Sequence, residues 1–231
     1  MSVVAESYTH GPLLVEGPNE QTVAMVRETG ARTYMEIGVY LGATASAVAE
    51  VLGGEGELHL LDFEDRVAPV AERLRAEGRA NVVAHPNSRR TLDSYNWSLM
   101  QLLRDGRAGT FDYVFVDGAH TWAHDALAFL LVDRLLKPGG HVDFDDYSWT
   151  LARSPSMNPD AFPPTRRLYS DEQISEPQVA LVVDLLVRPD PRYEEVVPDK
   201  VFRKRPEARG GAAASLVSAI PLGPRPEAPR S

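Results

Sequence analysis

What most limits how this chain can fold is a repeating alternation of two periods. Five short apolar runs of strand length are separated by segments with helical spacing. The runs are 33–38, 58–62, 81–85, 111–117 and 141–145, and the intervening helical segments are 43–52, 66–77, 93–105 and 122–136. Strands that alternate with helices predict a parallel, doubly wound α/β sheet. The run from Tyr113 to Val116 is continuously apolar, as suits a strand covered on both faces. Leu127, Leu131 and Leu135 recur at i, i+4 and i+8 and are read as the buried stripe of the helix at 122–136.

Flanking segments complete the outline. Residues 1–17 have no clear period and read as an N-terminal arm. Pro18-Asn19-Glu20 opens a helix that Gly30 closes, with Val23, Val26 and Met25 on its inner side. Lys137-Pro138-Gly139-Gly140 reads as the turn ending the helix before the fifth strand. Residues 148–170 are rich in Pro, Ser and Arg without a period, and a loop of that length is usually a functional lid or disordered. A helix is expected over 174–186, and an antiparallel strand pair at 193–197 and 200–205. The Ala-, Gly-, Pro- and Arg-rich stretch 207–231 reads as a disordered tail. The main domain is therefore placed at 18–206.

Composition narrows the function. The net charge of −9 argues against nucleic acid as the main partner, because phosphate binding recruits Lys and Arg. The absence of cysteine removes thiolate catalysis, disulfides and Cys-ligated zinc. The N-terminus lacks a basic segment followed by an apolar run, and no apolar stretch approaches the length of a bilayer span. The expectation is a cytoplasmic protein with no membrane partner. Assembly into a homo-oligomer is left open.

In sheets of this kind ligands bind beyond the carboxyl ends of the strands, so the residues that follow each strand carry the functional signal. After the first comes Glu36-Ile37-Gly38-Val39-Tyr40-Leu41-Gly42, a G-x-x-x-G turn distinct from the dinucleotide pattern G-x-G-x-x-G. Its plain alternative is a tight strand–helix turn with no ligand. Asp62 ends the second strand, where an acidic residue can accept hydrogen bonds from two ribose hydroxyls. Asp117 ends the fourth strand, and Asp145 and Asp146 follow the fifth. Three carboxylates brought to one crevice repel, and a hard divalent cation such as Mg²⁺, Mn²⁺ or Ca²⁺ relieves them. Their alternative role is to cap neighbouring turns. His120 stands where a general base would act, since imidazole titrates near neutrality; otherwise it bonds locally. His124 lies four positions on, but a His-x-x-x-His metal site lacks the Glu of the zinc-protease motif.

Taken in order, Glu36–Gly42, Leu61-Asp62, Phe111–His120 and Leu136–Gly140 resemble the motifs of class I S-adenosylmethionine-dependent methyltransferases. They are most similar to the small-molecule O-methyltransferases that include macrolide-sugar and catechol-type enzymes. The resemblance covers roughly residues 20–205 and implies a Rossmann-like fold. It implies that Glu36, Gly38, Tyr40 and Gly42 lie along the methionine part of the cofactor. Asp62 would hold the ribose and Ser88, with Asn87, would lie near the adenine; here His85-Pro86-Asn87 departs from the usual Gly-Asp-Ser wording. Asp117 would face both cofactor and acceptor. Asp117, Asp145 and Asp146 would hold a divalent metal, Mg²⁺ above all, and Asp117 and His120 would serve catalysis on a small-molecule hydroxyl in natural-product biosynthesis. Tyr147 and Trp149 would wall the acceptor pocket. Rival readings are a metal-independent O- or N-methyltransferase using His120, a nicotinamide-dependent oxidoreductase, and a non-catalytic nucleotide-binding protein.

Overall fold

A computed structural model describes residues 17–206 apart from Ala80; the expected arm and tail lie almost wholly outside the described residues. Seven strands form one sheet in the order β3-β2-β1-β4-β5-β7-β6. The first five are β1 Thr33–Ile37, β2 Glu57–Phe63, β3 Val82–Asn87, β4 Phe111–Val116 and β5 Leu136–Phe144. They run parallel, while β7 Val201–Lys204 pairs antiparallel with both β5 and β6 Tyr193–Val197. The strand order reverses at β1, which has β2 on one side and β4 on the other. That reversal opens a crevice above the carboxyl ends of β1 and β4.

The helices cover both faces. On one lie α1 Glu20–Thr29, α2 Ala43–Leu52 and α3 Glu64–Ala76, packed on Tyr34, Leu60, Tyr113 and Phe115. On the other lie α4 Tyr95–Arg104, α5 Trp122–Leu135 and a segment ending in α8 Gln178–Val182, packed on Ile37, Leu61, Val116 and Phe144. Alternation of side chains along each strand sends Tyr34 and Glu36 to one layer and Met35 and Ile37 to the other. Local chemistry sets the helix ends. The Asn19 side chain accepts from the Thr22 amide at the start of α1, and Gly30 closes that helix in the left-handed region.

Several expectations are corrected. The buried stripe of α5 is Ala128, Phe129, Val132 and Leu135, with Asp125; Leu127 is 47% exposed. Leucines at i, i+4 and i+8 share a face, but so do Asp125, Ala128, Phe129 and Val132, and the bulk of Phe129 against Phe144 and Tyr193 decides which face turns inward. Lys137–Gly140 does not form a separate turn; β5 begins at Leu136, with a register shift between Phe111 and Tyr113 where the glycines bulge. Residues 148–170 contain a short 3₁₀ turn, Leu151–Arg153, and α6 Thr165–Leu168. The helix expected over 174–186 is interrupted: α7 Asp171–Ser175 stops ahead of Pro177, and α8 continues as a π-helical turn, Val183–Val187. Proline cannot donate to the preceding turn and pushes the residue before it out of the helical region.

Candidate active site

The crevice floor is built from backbone. Gly38 donates to the Leu61 carbonyl, Asp117 to Ile37 and Asp145 to Val116, so the ends of β2, β1, β4 and β5 are laced together. Gly38 has φ +87°, and a Cβ there would lie 1.8 Å from the Asp117 carbonyl oxygen. Only glycine lets the first loop cross the end of β4 this closely. Gly42, with φ +75°, is required by a different neighbour: its Cβ would meet Val70 of α3 at 2.5 Å.

Asp62 secures the same loop from below. Its Oδ2 accepts from the amides of Val39 and Tyr40 at 2.8 and 3.0 Å, and its Oδ1 from Phe63. Tyr40, with φ +50°, is 38% exposed at the crevice rim, and the Arg66 guanidinium lies 5.3 Å from its ring centre. Glu36 sits beneath the loop, 2% exposed; it accepts from the Tyr34 hydroxyl at 3.0 Å and from the Ala45 amide. Desolvation pushes its pKa up to about 8, helped by the charge of Asp62. Glu36 thus caps the first turn of α2, and Gly38 and Tyr40 form the rim above it. Ser88 donates twice to Asp93. Beside it, Asn87 Oδ1 is buried with no hydrogen-bond partner among the described residues, an acceptor left for a donor group of a ligand.

At the other side of the crevice Asp117, His120 and Asp146 converge. Each offers one ligand atom, and these atoms lie within 4.8 Å of one another. His120 Nε2 is 3.6 Å from Asp117 Oδ1 and 3.7 Å from Asp146 Oδ2. Both His120 (φ +52°) and Asp146 (φ +59°) hold left-handed backbone, a conformation that costs free energy in non-glycine residues and gathers at functional sites. With Tyr40, they are three of the four such residues among those described, and all three border the crevice. Asp117 has one face open, its side chain 35% exposed; desolvation on its other sides, then Asp145, Glu36 and Asp146, push its pKa well up. Two carboxylates and an imidazole that repel or crowd one another suit a divalent cation of the Mg²⁺ or Mn²⁺ type, and the nitrogen donor tilts the set toward Mn²⁺.

Asp145 is placed differently from the expectation. Its Oδ1 accepts from Asn19 Nδ2 at 3.2 Å and lies 3.5 Å from Lys200 Nζ. The geometry therefore brings ligand atoms of Asp117, His120 and Asp146 together, while Asp145, whose charge acts on Asp117 more strongly than that of Asp146, is held by Asn19 and Lys200. His124 turns to Thr121 Oγ1 and joins no metal-ligating group among the described residues. Trp149 stands beside the site, its ring 5.2 Å from that of His120 and its amide donating to the Asp146 carbonyl. Tyr147 instead bonds Asp184. Sequence reasoning missed Lys200, Asn19 and Tyr95, which support this site. Asn19 was legible only as a helix cap, and the other two lie far along the chain from the residues they hold.

Comparisons with known proteins agree with this architecture. A family model described as a methyltransferase domain matches residues 35–147. The chain is 24% identical over 156 residues to a "Probable caffeoyl-CoA O-methyltransferase 3" of Dictyostelium discoideum, covering 64% of this chain and 58% of the relative. It spans less than two thirds of that relative's length. An O-methyltransferase from Bacillus cereus, solved in complex with SAH, has the same fold at TM-score 0.56 and 19% identity, over 83% of this chain and 82% of that one. A methyltransferase from Podospora anserina, SAH-bound, matches at TM-score 0.52 and 21% identity, over 81% and 77%.

Proposed function

We propose, for a chain whose residues 35–147 match a methyltransferase domain, that it is a class I methyltransferase and moves the methyl group of S-adenosylmethionine to a hydroxyl of a small molecule with the help of a divalent metal. The observation that carries this reading is the convergence of Asp117, His120 and Asp146 at the carboxyl ends of β4 and β5, beside the loop 38–42 that Asp62 holds. SAH in solved relatives of the same fold and the unsatisfied acceptor on Asn87 favour that cofactor. The methionine portion would lie along Gly38–Tyr40, the ribose at Asp62, whose carboxylate is already aligned by the loop amides, and the adenine near Asn87 and Ser88.

In this reading the acceptor oxygen attacks the sulfonium methyl in line, the carbon–oxygen bond forming as the carbon–sulfur bond breaks and S-adenosylhomocysteine leaves. With His120 Nε2 on the metal, the acceptor's proton passes to solvent. The chain's main task is orientation, which can supply roughly 7–11 kcal/mol when reacting atoms are held at attack distance. Asp117 and Asp146 would hold the cation with His120 Nε2 as a nitrogen donor. Bound there, a divalent ion supplies Lewis-acid polarisation that lowers the pKa of the acceptor hydroxyl. Trp149, its ring 5.2 Å from that of His120, would wall one side of the acceptor site. A second reading drops the metal: His120 Nε2, held 3.6 and 3.7 Å from two carboxylates, accepts the acceptor's proton as a general base. The two are exclusive at that nitrogen, since a ligating lone pair cannot also take a proton. A phenol or a sugar hydroxyl are the acceptor classes to screen.

The test is calorimetric titration of S-adenosylmethionine into metal-free protein, with an acceptor screen in Mg²⁺, Mn²⁺ and EDTA. Asp117→Asn and Asp146→Asn should lower turnover at least 100-fold while each retains a metal-independent affinity for S-adenosylhomocysteine. Full activity in EDTA would leave the His120 reading standing, and no cofactor binding under any condition would sink both.

A further inference from the structure

The turn that carries His120 rests on a side chain no motif identifies. Tyr95, the first residue of α4, is 8% exposed, and its hydroxyl touches both elements that flank the turn. The hydroxyl accepts from the Ala119 amide at 3.3 Å and donates to Asp125 Oδ1 on α5. The ring lies directly under Gly118, where a Cβ would approach Tyr95 Cε1 and Oη to 2.9 Å. Asp125 is itself 1% exposed, and its amide donates to the Thr121 carbonyl. The next residue of α4, Asn96, donates from Nδ2 to the His124 carbonyl at 3.0 Å. Two successive residues of α4 therefore grip 119–125 on both sides of the left-handed His120.

We propose that Tyr95, anchored by Asp125, is a positioning residue that holds the 117–120 turn in its strained form and so keeps Asp117 and His120 facing Asp146. Backbone at φ +52° persists only where surrounding structure over-determines it, and the hydroxyl between the Ala119 amide and the buried Asp125 carboxylate is that determinant. The ring cannot retreat from Gly118 because Asp125 fixes its far end. This inference rests on the metal-assisted methyl-transfer reading. Partners of this kind, one layer behind metal ligands, typically cost 10–100-fold in metal affinity when removed.

Tyr95→Phe keeps the ring and removes the hydroxyl; Gly118→Ala loads the same contact from the other side and serves if the first variant does not fold. Mn²⁺ affinity would be read by electron paramagnetic resonance on the full chain, and S-adenosylhomocysteine affinity by calorimetry. The expected result is Mn²⁺ binding weaker by about 10-fold or more, with S-adenosylhomocysteine affinity within twofold of the parent. Parental Mn²⁺ affinity in both variants overturns the proposal. Loss of both ligands together makes Tyr95 a general structural residue and also overturns it. A parent protein that binds S-adenosylhomocysteine but no Mn²⁺ removes the metal reading itself, and this inference with it.

Discussion

Single residues at the crevice carry charge states dictated by their surroundings, and Glu36 is the one with the clearest consequence. Buried under the glycine loop, it has a folded pKa of about 8 against an ordinary carboxyl value near 4.5. Between those values the folded chain keeps a proton that the unfolded chain releases. The stability that Glu36 contributes is therefore complete below about pH 4.5 and is lost as pH rises toward 8. Glu36→Gln keeps an acceptor for the Tyr34 hydroxyl and the Ala45 amide but cannot ionise. In urea unfolding at pH 5–8, the parent should lose stability relative to the variant by about 1.4 kcal/mol per pH unit in mid-window. A difference between the two that does not change with pH would contradict a buried, protonated Glu36.

Between elements, the site is braced by a buried polar knot. Lys200, just ahead of β7, places Nζ 2.9 Å from Asp143 Oδ1 of β5 and 5.0 Å from the Phe115 ring centre. Asp143 Oδ2 accepts from the Tyr113 hydroxyl of β4 at 2.6 Å and from Thr22 of α1 at 2.7 Å. Asn19 then joins α1 to both sides of the crevice, bonding Asp145 by its side chain and Thr44 of α2 by its amide. Removing one partner of a buried pair is costly because it strands the other charge. Lys200→Met should lower unfolding free energy by about 3–5 kcal/mol, and adding Asp143→Asn should recover part of that loss. Strict additivity of the two substitutions in a double-mutant cycle would show that the pair is not coupled.

At the scale of the whole molecule, the antiparallel hairpin β6–β7 is part of the core and no appendage. Phe202 is 1% exposed, packs edge-on against Phe144, and belongs to the same cluster as α5. Phe202→Ala should cost about 3–5 kcal/mol in a single unfolding transition; a separate early transition for the hairpin would refute this. The fold was largely readable from the chain. Local signals sufficed for β1, α2 and β6, because a strand or helix announces itself through its own period and its glycine stops. The signals failed where a neighbour chooses between local options. Two faces of α5 were both apolar, and contact with Phe144 and Tyr193 selected Phe129 over Leu127. Residues 148–170 lack a period because Pro163 and Pro164 leave them in turns shorter than the windows that reveal one, and Pro177 splits the helix expected over 174–186.

The candidate site divides the same way. The sequence by itself determined that carboxylates and glycines end the strands, since residue order along each β–α unit places them at the crevice rim. Which of them meet was decided only by tertiary structure. Asp145 and Asp146 are adjacent in sequence, yet the left-handed Asp146 places its carboxylate 3.7 Å from His120 Nε2 while that of Asp145 lies 3.5 Å from Lys200, 55 positions on. The supporting Tyr95 is 30 positions from Asp125. Period and spacing report on neighbours along the chain, whereas the charge and strain of this site are set by groups that meet only once the sheet has closed.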